Sequence, residues 1–557
     1  MNKSALYLGL DVGGTHTDAV LIGEEGIVSH YKAVTDHDNL LLSVRKAIEG
    51  IAGGADRKKI QRINLSTTLS TNAIVENRLE DVCVIISAGP GIDPDNFKIG
   101  TYYYVIDGSI DHRGTEVRSL DAKLVSRIAG EVSGKGVKAF AAVTKFSTRN
   151  PEHENLIARE IGSAADFVTL GHKLSGRLSF PRRIVTAYFN SAVRRIFENF
   201  SDSIEECLCD LGIEAEVNVL KADGGTMPFS FSRGIPVESI LSGPAASVMG
   251  IAALCDITRD SIMLDIGGTT TDIAIFAAGA PLIEKEGISL QGFPTLVRSL
   301  MTRSIGVGGD SAIHVNGGSV SVGPDRGGPA MAAGGTVPTL VDAFNAIRIV
   351  RFMDAEASAQ GIADLAKKNG TSPDKLADAA IEYAVARIKD EVNAMLGEIR
   401  DRPVYTIHEM LEGKKIQPAL VYIMGGPAEA FRDKFAGWLG AEVVVPPNYD
   451  VANAVGAALA KTTIDIELFA DTCRRTMIIP NIDVRRTIPS GYTLRDAERD
   501  ARNSLAEHRG SLSAPAGGSD MEIIESSSFN IVEGFYTVGR DIRVKCQIKP
   551  GVIKRLT

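Results

Sequence analysis

Asp11 closes an apolar run that begins at Leu6. After it come Gly13, Gly14, Thr15, Thr17 and a second acid, Asp18, before another apolar run reaches Ile22. The same order returns in the second half of the chain, where Leu264 and Asp265 lead through Gly267, Gly268, Thr269 and Thr271 to Asp272 and an apolar run ending at Phe276. Two β-prone runs joined by a Gly-Gly turn predict a β-hairpin. Glycines in the turn permit positive φ and bring backbone N–H groups close to an anion, and the threonine hydroxyls add donors. A carboxylate at the strand end cannot bind phosphate itself, but it can hold Mg2+ through water, as a hard cation prefers. One such hairpin is equally well explained as a tight turn between buried strands. Two copies that keep every acid and hydroxyl at constant spacing are not, because a turn needs the glycines and nothing else. Facing hairpins from two lobes would close on a polyphosphate from both sides.

The elements that position these hairpins are visible as periodicity. Leu40, Leu41, Val44, Ile48 and Ile51 recur at helical spacing and predict an amphipathic helix over 39–52. Residues 63–75 predict a strand, a hydroxyl-rich loop and a helix start. Ser66, Thr67, Thr68, Ser70, Thr71 and Asn72 serve there either as helix caps or as donors to a substrate or phosphate. Residues 82–87 and 137–146 read as buried strands, with Tyr102, Tyr103 and Tyr104 in a polar loop between them. Asn150 before Pro151 starts a helix, which makes His153 a structural residue near a helix terminus rather than a metal ligand. One long helix is expected over 183–200. Asp223 stands beside a further Gly-Gly turn, and Ser242-Gly243-Pro244 opens a helix of small residues that includes Ala246 and Gly250. Gly308 and Gly309, in a glycine-rich turn, offer another phosphate contact, and 314–338 read as surface loops around a short hairpin. Ser372-Pro373 opens a long core helix. A buried strand from Ala419 runs into Gly425-Gly426-Pro427, whose bare backbone lets a ring such as adenine lie against it. The small-residue helix from Val451 is suited to packing on another helix at a hinge. The last stretch alternates strand-like runs at 476–479, 535–538 and 542–548 with one charged helix near 493–508.

At about 150 residues per domain, 557 residues make three or four compact units. The expected division is an N-terminal lobe over 1–182, a connecting helical region over 183–260, a second lobe over 261–465 and an α+β region over 466–557. With 44% apolar and 23% charged residues the composition is that of a globular chain. A net charge of −9 and a single tryptophan, Trp438, argue against a nucleic-acid partner. Six scattered cysteines without CxxC spacing favour neither a disulfide framework nor a zinc module, and a reducing cytoplasm is expected. Lys3 and the apolar run after it resemble a signal peptide only faintly, since Asp11 interrupts the run and the run belongs to the first strand. No apolar segment approaches the roughly 20 residues of a membrane span.

The paired Gly-Gly-Thr hairpins and the late Gly-Gly strand end resemble the ATPase superfamily of actin, sugar kinases and Hsp70 chaperones. More narrowly, the chain resembles the hydantoinase A / 5-oxoprolinase family. The matching pieces, in the family's order, are Asp11 to Asp18, Ser66 to Ala73, Phe146-Ser147 with Asn150 to Glu154, Ser242 to Ala246, Asp265 to Asp272, Gly334 to Thr339 with Asp342-Ala343, and Met424 to Pro427. The resemblance implies an α/β, two-lobed actin-like ATPase fold of duplicated RNase H-like domains with a small α+β C-terminal region. It implies an enzyme that uses ATP and Mg2+ to open a cyclic amide or imide of the hydantoin or 5-oxoproline type by phosphorylating the ring carbonyl oxygen. The alternatives are a subunit of an ATP-dependent ketone carboxylase and a non-catalytic ATP-binding regulator. On this resemblance Gly13, Gly14, Thr15, Thr17, Gly267, Gly268, Thr269 and Thr271 cradle the phosphates, and Asp11 and Asp265 orient Mg2+. Asp18 and Asp272 are further acids of the site, and Gly425 and Gly426 face the adenosine. The general base stays open between Asp18, Asp223, Glu238 and Asp272. A B-type subunit and a homo-oligomer are expected as partners. The chain departs from the family at His16, where Phe is usual, and at Asp310, where a glycine is usual; its C-terminal region is also shorter than is typical.

Overall fold

The computed structural model describes residues 5–36, 39–53, 56–284, 286–401, 416–511 and 521–556. Lys3 lies outside them.

Each lobe is built on one arrangement. In the first, strands Leu6–Val12 and His16–Gly23 form the expected hairpin, and Ile60–Thr67 pairs parallel to the hairpin's first strand. In the second, Ser261–Ile266 and Thr271–Ala277 form the hairpin, and Leu420–Met424 pairs parallel to its first strand. The duplication seen in the sequence is therefore a duplication of topology, as the actin-like fold requires. The first sheet continues through Gly26–Val34 on one side and through Glu216–Leu220 and Thr226–Pro228 on the other. Those last two strands come from 183–260. That stretch is thus not a helical connection throughout: Val217, Val219 and Leu220 form a strand parallel to Ile60–Thr67 and complete the first sheet.

The expected single helix over 183–200 is two, Phe180–Ala192 and Arg194–Asp210, with Val193 between them. Tyr102–Val105 is a strand, not a loop: it pairs parallel with Val82–Ser87 at the edge of a second sheet that also holds Ala139–Thr144 and Phe167–Leu170. His153 is buried and its Nε2 meets Glu116 at 2.8 Å, a structural position as expected. The C-terminal region is a five-stranded antiparallel sheet with Leu494–Ser511 laid across it. The runs at 535–538 and 542–548 prove to be one strand, Tyr536–Ile548.

The lobes meet through two helices, Ser242–Leu254 and Ala452–Leu459. A methyl group added at Gly456 would lie 2.0 Å from the Ala246 carbonyl, and one at Gly250 would lie 2.2 Å from that of Ala452. The second helix also presses on the first sheet, where a methyl at Gly9 would stand 2.0 Å from the Ala454 carbonyl. Backbone touches backbone at all three places, so only glycine fits. Among the described residues, no helix is long and apolar enough to cross a membrane.

Candidate active site

Asp11 and Asp18 are cross-strand partners in the first hairpin, and Asp265 and Asp272 hold the same two positions in the second. Cross-strand partners share a face, so each hairpin presents two carboxylates to one side. Asp11, Asp18 and Asp265 are 6%, 8% and 7% exposed. The hairpin tips meet: a methyl group added at Gly268 would lie 3.0 Å from the Thr15 hydroxyl and 2.9 Å from Asp310 Oδ2.

The groups that hold these acids come from distant segments. Ser247 Oγ donates to Asp265 Oδ2 at 2.6 Å, and Asn453 Nδ2 donates to the same oxygen at 3.1 Å. Lys32 Nζ stands 2.9 Å from both oxygens of Asp18 and donates to the Asp450 carbonyl at 3.1 Å. Ser66, beside Asp11 on the parallel strand, faces it without reaching hydrogen-bond geometry, and its buried hydroxyl has no partner.

Burial pushes the Asp11 carboxyl up to about 7, and the carboxylates of Asp18 and Asp265 push the same way. Asp272 also rises to about 7, from burial first and then from the charge of Asp265. Burial raises Asp18 against the opposing ammonium of Lys32, and raises Asp265 against the hydrogen bonds from Ser247 and Asn453. Between about pH 4 and pH 7 the folded chain keeps protons on Asp11 and Asp272 that the unfolded chain has released. Stability of the metal-free protein therefore falls as pH rises through that window and levels off above it. Thermal melts at stepped pH are expected to show this decline, and Asp11→Asn is expected to flatten it.

These donors suit a hard divalent cation. They are oxygen ligands, crowded, and short of positive charge, with an orphaned hydroxyl beside them. Among the described residues, no three His, Cys, Asp or Glu side chains are grouped so as to hold a metal.

The structure separates the expected phosphate contacts into two sets. The backbone N–H groups of Gly14, Thr15, Gly268 and Thr269, at the hairpin tips, donate to no protein group among the described residues. Gly13 and Gly267 close the turns, donating to the carbonyls of His16 and Thr270. Thr17 and Thr271 do not face the cleft. Thr17 shares a hydrogen bond with Thr35, Thr271 donates to the Val307 carbonyl, and both are fully buried. Gly308 and Gly309 are scaffold as well: Gly308 N–H donates to Ser311 Oγ, Gly309 N–H donates to the Gly267 carbonyl, and a methyl at Gly308 would strike the backbone of Gly268. Gly425 is tucked under Ile266, whose carbonyl would stand 2.2 Å from an added methyl, whereas Gly426 is open.

The hydroxyls of 66–72 only partly cap a helix. Thr67 Oγ1 accepts from Leu69 N–H, but Thr68 makes no capping bond. Ser70 bonds Ser239 and Thr71 accepts from Leu241 N–H, so this segment is stitched to 239–241. Asp310 is paired with Arg326 at 3.0 Å, which offsets its charge beside Gly268. Burial, with Lys32 and Arg326 nearby, lowers the His16 imidazole, so the ring stays neutral at pH 7.

Two lobes, each carrying a Gly-Gly hairpin with a cross-strand pair of acids, make a two-lobed fold of the actin-like ATPase type. The hydantoinase/oxoprolinase family profile matches residues 183–466, and its N-terminal region profile matches 7–164. The chain belongs to the hydantoinase/oxoprolinase family. It is 26% identical over 380 residues to the caprolactamase subunit alpha of Pseudomonas jessenii, covering 62% of this chain and 54% of that one. It is 24% identical over 411 residues to the 5-oxoprolinase of Saccharomyces cerevisiae, covering 62% of this chain and 32% of that one. The chain thus spans about half and about a third of these curated relatives. Among solved structures, nucleotide-free acetone carboxylase superposes with a TM-score of 0.70 at 16% identity, over 98% of this chain and 88% of that one. The ATP-dependent caprolactamase of Pseudomonas jessenii superposes with a TM-score of 0.68 at 19% identity, over 97% and 87%.

Proposed function

We propose that the protein uses MgATP to open a cyclic amide or imide. The observation that carries this reading is the convergence of two identically placed acid pairs at the meeting of the hairpin tips. Asp11 and Asp265 would hold Mg2+ through water, and Asp18 and Asp272 stand behind them. The amides of Gly14, Thr15, Gly268 and Thr269 are free to take phosphate oxygens, and Gly426 leaves room for the adenosine. An unactivated lactam is a poor electrophile, and ATP supplies the phosphoryl group that activates its carbonyl oxygen. The chain's residues contribute position and charge, which carry most of phosphoryl-transfer catalysis.

The relative named as a subunit, the caprolactamase subunit alpha, supports a second chain as partner, which we read as a B-type subunit. The test is ADP release from MgATP by the purified protein with hydantoin, 2-pyrrolidinone, caprolactam and 5-oxoproline, with and without bicarbonate. Stimulation by a ring compound without bicarbonate is the expected result. A strict need for bicarbonate and a ketone assigns the chain to carboxylation instead, and nucleotide binding without any stimulation assigns it to regulation.

A further inference from the structure

A turn of 3-10 helix, Tyr449–Val451, runs directly into helix Ala452–Leu459, and three parts of the candidate site are tied to this junction. The Tyr449 carbonyl accepts from Gly425 N–H at 3.1 Å. The Asp450 carbonyl accepts from Lys32, which holds Asp18. Asn453 Nδ2 donates to Asp265 Oδ2, and the same side chain faces Asp11. Residues 449–453 therefore touch the glycine strand end and the acids of both lobes.

The helix behind the junction is clamped to the first sheet. In its last turn the carbonyls of Ala457 and Ala458 accept from Asn64 Nδ2, on strand Ile60–Thr67, at 2.8 and 3.2 Å. Near its start the Ala454 carbonyl lies against Gly9. Asn453 thus rides on a helix fixed to the first sheet and reaches an acid of the second lobe.

A carboxylate only accepts, so the end of the amide that meets Asp265 carries the N–H and the other end is the carbonyl oxygen. That oxygen, Asn453 Oδ1, is buried and has no partner, and Ser66 Oγ beside Asp11 is in the same condition. Asp265 Oδ2 is taken by Ser247 and Asn453. Its Oδ1 accepts nothing among the described residues and would lie 2.8 Å from a methyl group added at Gly425. A buried acceptor without a partner calls for a donor. Phosphate oxygens accept only, so ATP itself does not supply one. A water on Mg2+ does, and Mg2+ keeps several of its waters when it binds.

We propose that Asn453 is a positioning residue for the cation: its Nδ2 fixes Asp265, and its Oδ1 accepts from a water of hydrated Mg2+. One amide then sets the acid and the water together. This rests on the MgATP part of the reading above and not on ring opening.

The test is Mn2+ binding to the purified protein with ADP, read by electron paramagnetic resonance, a measurement that needs no turnover. Asn453→Ala and the similarly sized Asn453→Leu are each expected to bind Mn2+ about 10- to 100-fold more weakly than wild type. Asn453→Asp loses the donor but keeps an acceptor oxygen, and is expected to bind Mn2+ at least as tightly as wild type while melting at a lower temperature without metal. A cooperative melt certifies that each variant is folded. Equal weakening in Asn453→Asp and Asn453→Ala traces the effect to the lost bond to Asp265 and removes Oδ1 from the cation site. Wild-type Mn2+ affinity in Asn453→Ala or Asn453→Leu removes the residue altogether. A wild type that binds no Mn2+ beside ADP sinks the MgATP reading and this assignment with it.

Discussion

Asp11→Asn is expected to melt at a higher temperature than the wild type at pH 8 without metal, and to release ADP about 10²–10³-fold more slowly. The two effects have one origin. With its carboxyl pushed up to about 7, Asp11 is charged at pH 8 in a place that disfavours the charge, against Asp18 and Asp265. That costs the metal-free fold on the order of 4 kcal/mol. Asparagine removes the charge and gives the orphaned Ser66 hydroxyl a donor. The same change deletes the charge that would hold a hydrated Mg2+ against a transferring phosphoryl group. Asp265→Asn should lose turnover comparably, with a smaller gain in stability. Its Oδ2 already accepts from both Ser247 and Asn453, and an amide oxygen placed there keeps both bonds. A differential melt with and without MgATP, read beside ADP release, checks both variants. Full turnover in Asp11→Asn would remove that residue from the chemistry.

Much of this site was legible because it is written twice. The spacing of Asp11 with Asp18 and of Asp265 with Asp272 predicted two hairpins, and both pairs stand in identical register. That Thr17 and Thr271 turn away from the acids also follows from their spacing. Each precedes an acid by one residue on a strand, and side chains alternate across a strand, so a threonine next to a cleft-facing acid must face the other way. Tyr102 to Tyr104 likewise carried a strand signal in their own β propensity. The partners of the acids were not legible. Asn453 reaches Asp265 from 188 residues away, and Lys32 meets Asp18 only because the third strand of the first sheet pairs with the second. The strand ahead of Lys221 was legible as an apolar run, whereas Thr226–Pro228, three residues long, was too short to carry a period.

Gly456→Ala is expected to destabilise the protein, although alanine in an exposed helical position stabilises by about 1 kcal/mol over glycine. The sign reverses because the added methyl would sit 2.0 Å from the Ala246 carbonyl and 2.4 Å from Gly250 N. Those are backbone atoms of a facing helix and cannot rotate aside, so the helices must separate, at about 1–3 kcal/mol. Gly130, exposed in helix Ala122–Gly134 with nothing within 4 Å of an added methyl, is the matched control, and Gly130→Ala should raise the melting midpoint. Loss of turnover should accompany the loss of stability at Gly456. Asn453 lies on the same helix and donates to Asp265, and Gly9, on the strand that carries Asp11, packs against the carbonyl of Ala454. A shift of this helix therefore moves both acids relative to each other, and phosphoryl transfer depends on that geometry. Gly456→Ala with wild-type melting and wild-type ADP release would show that the two lobes are not coupled through this contact.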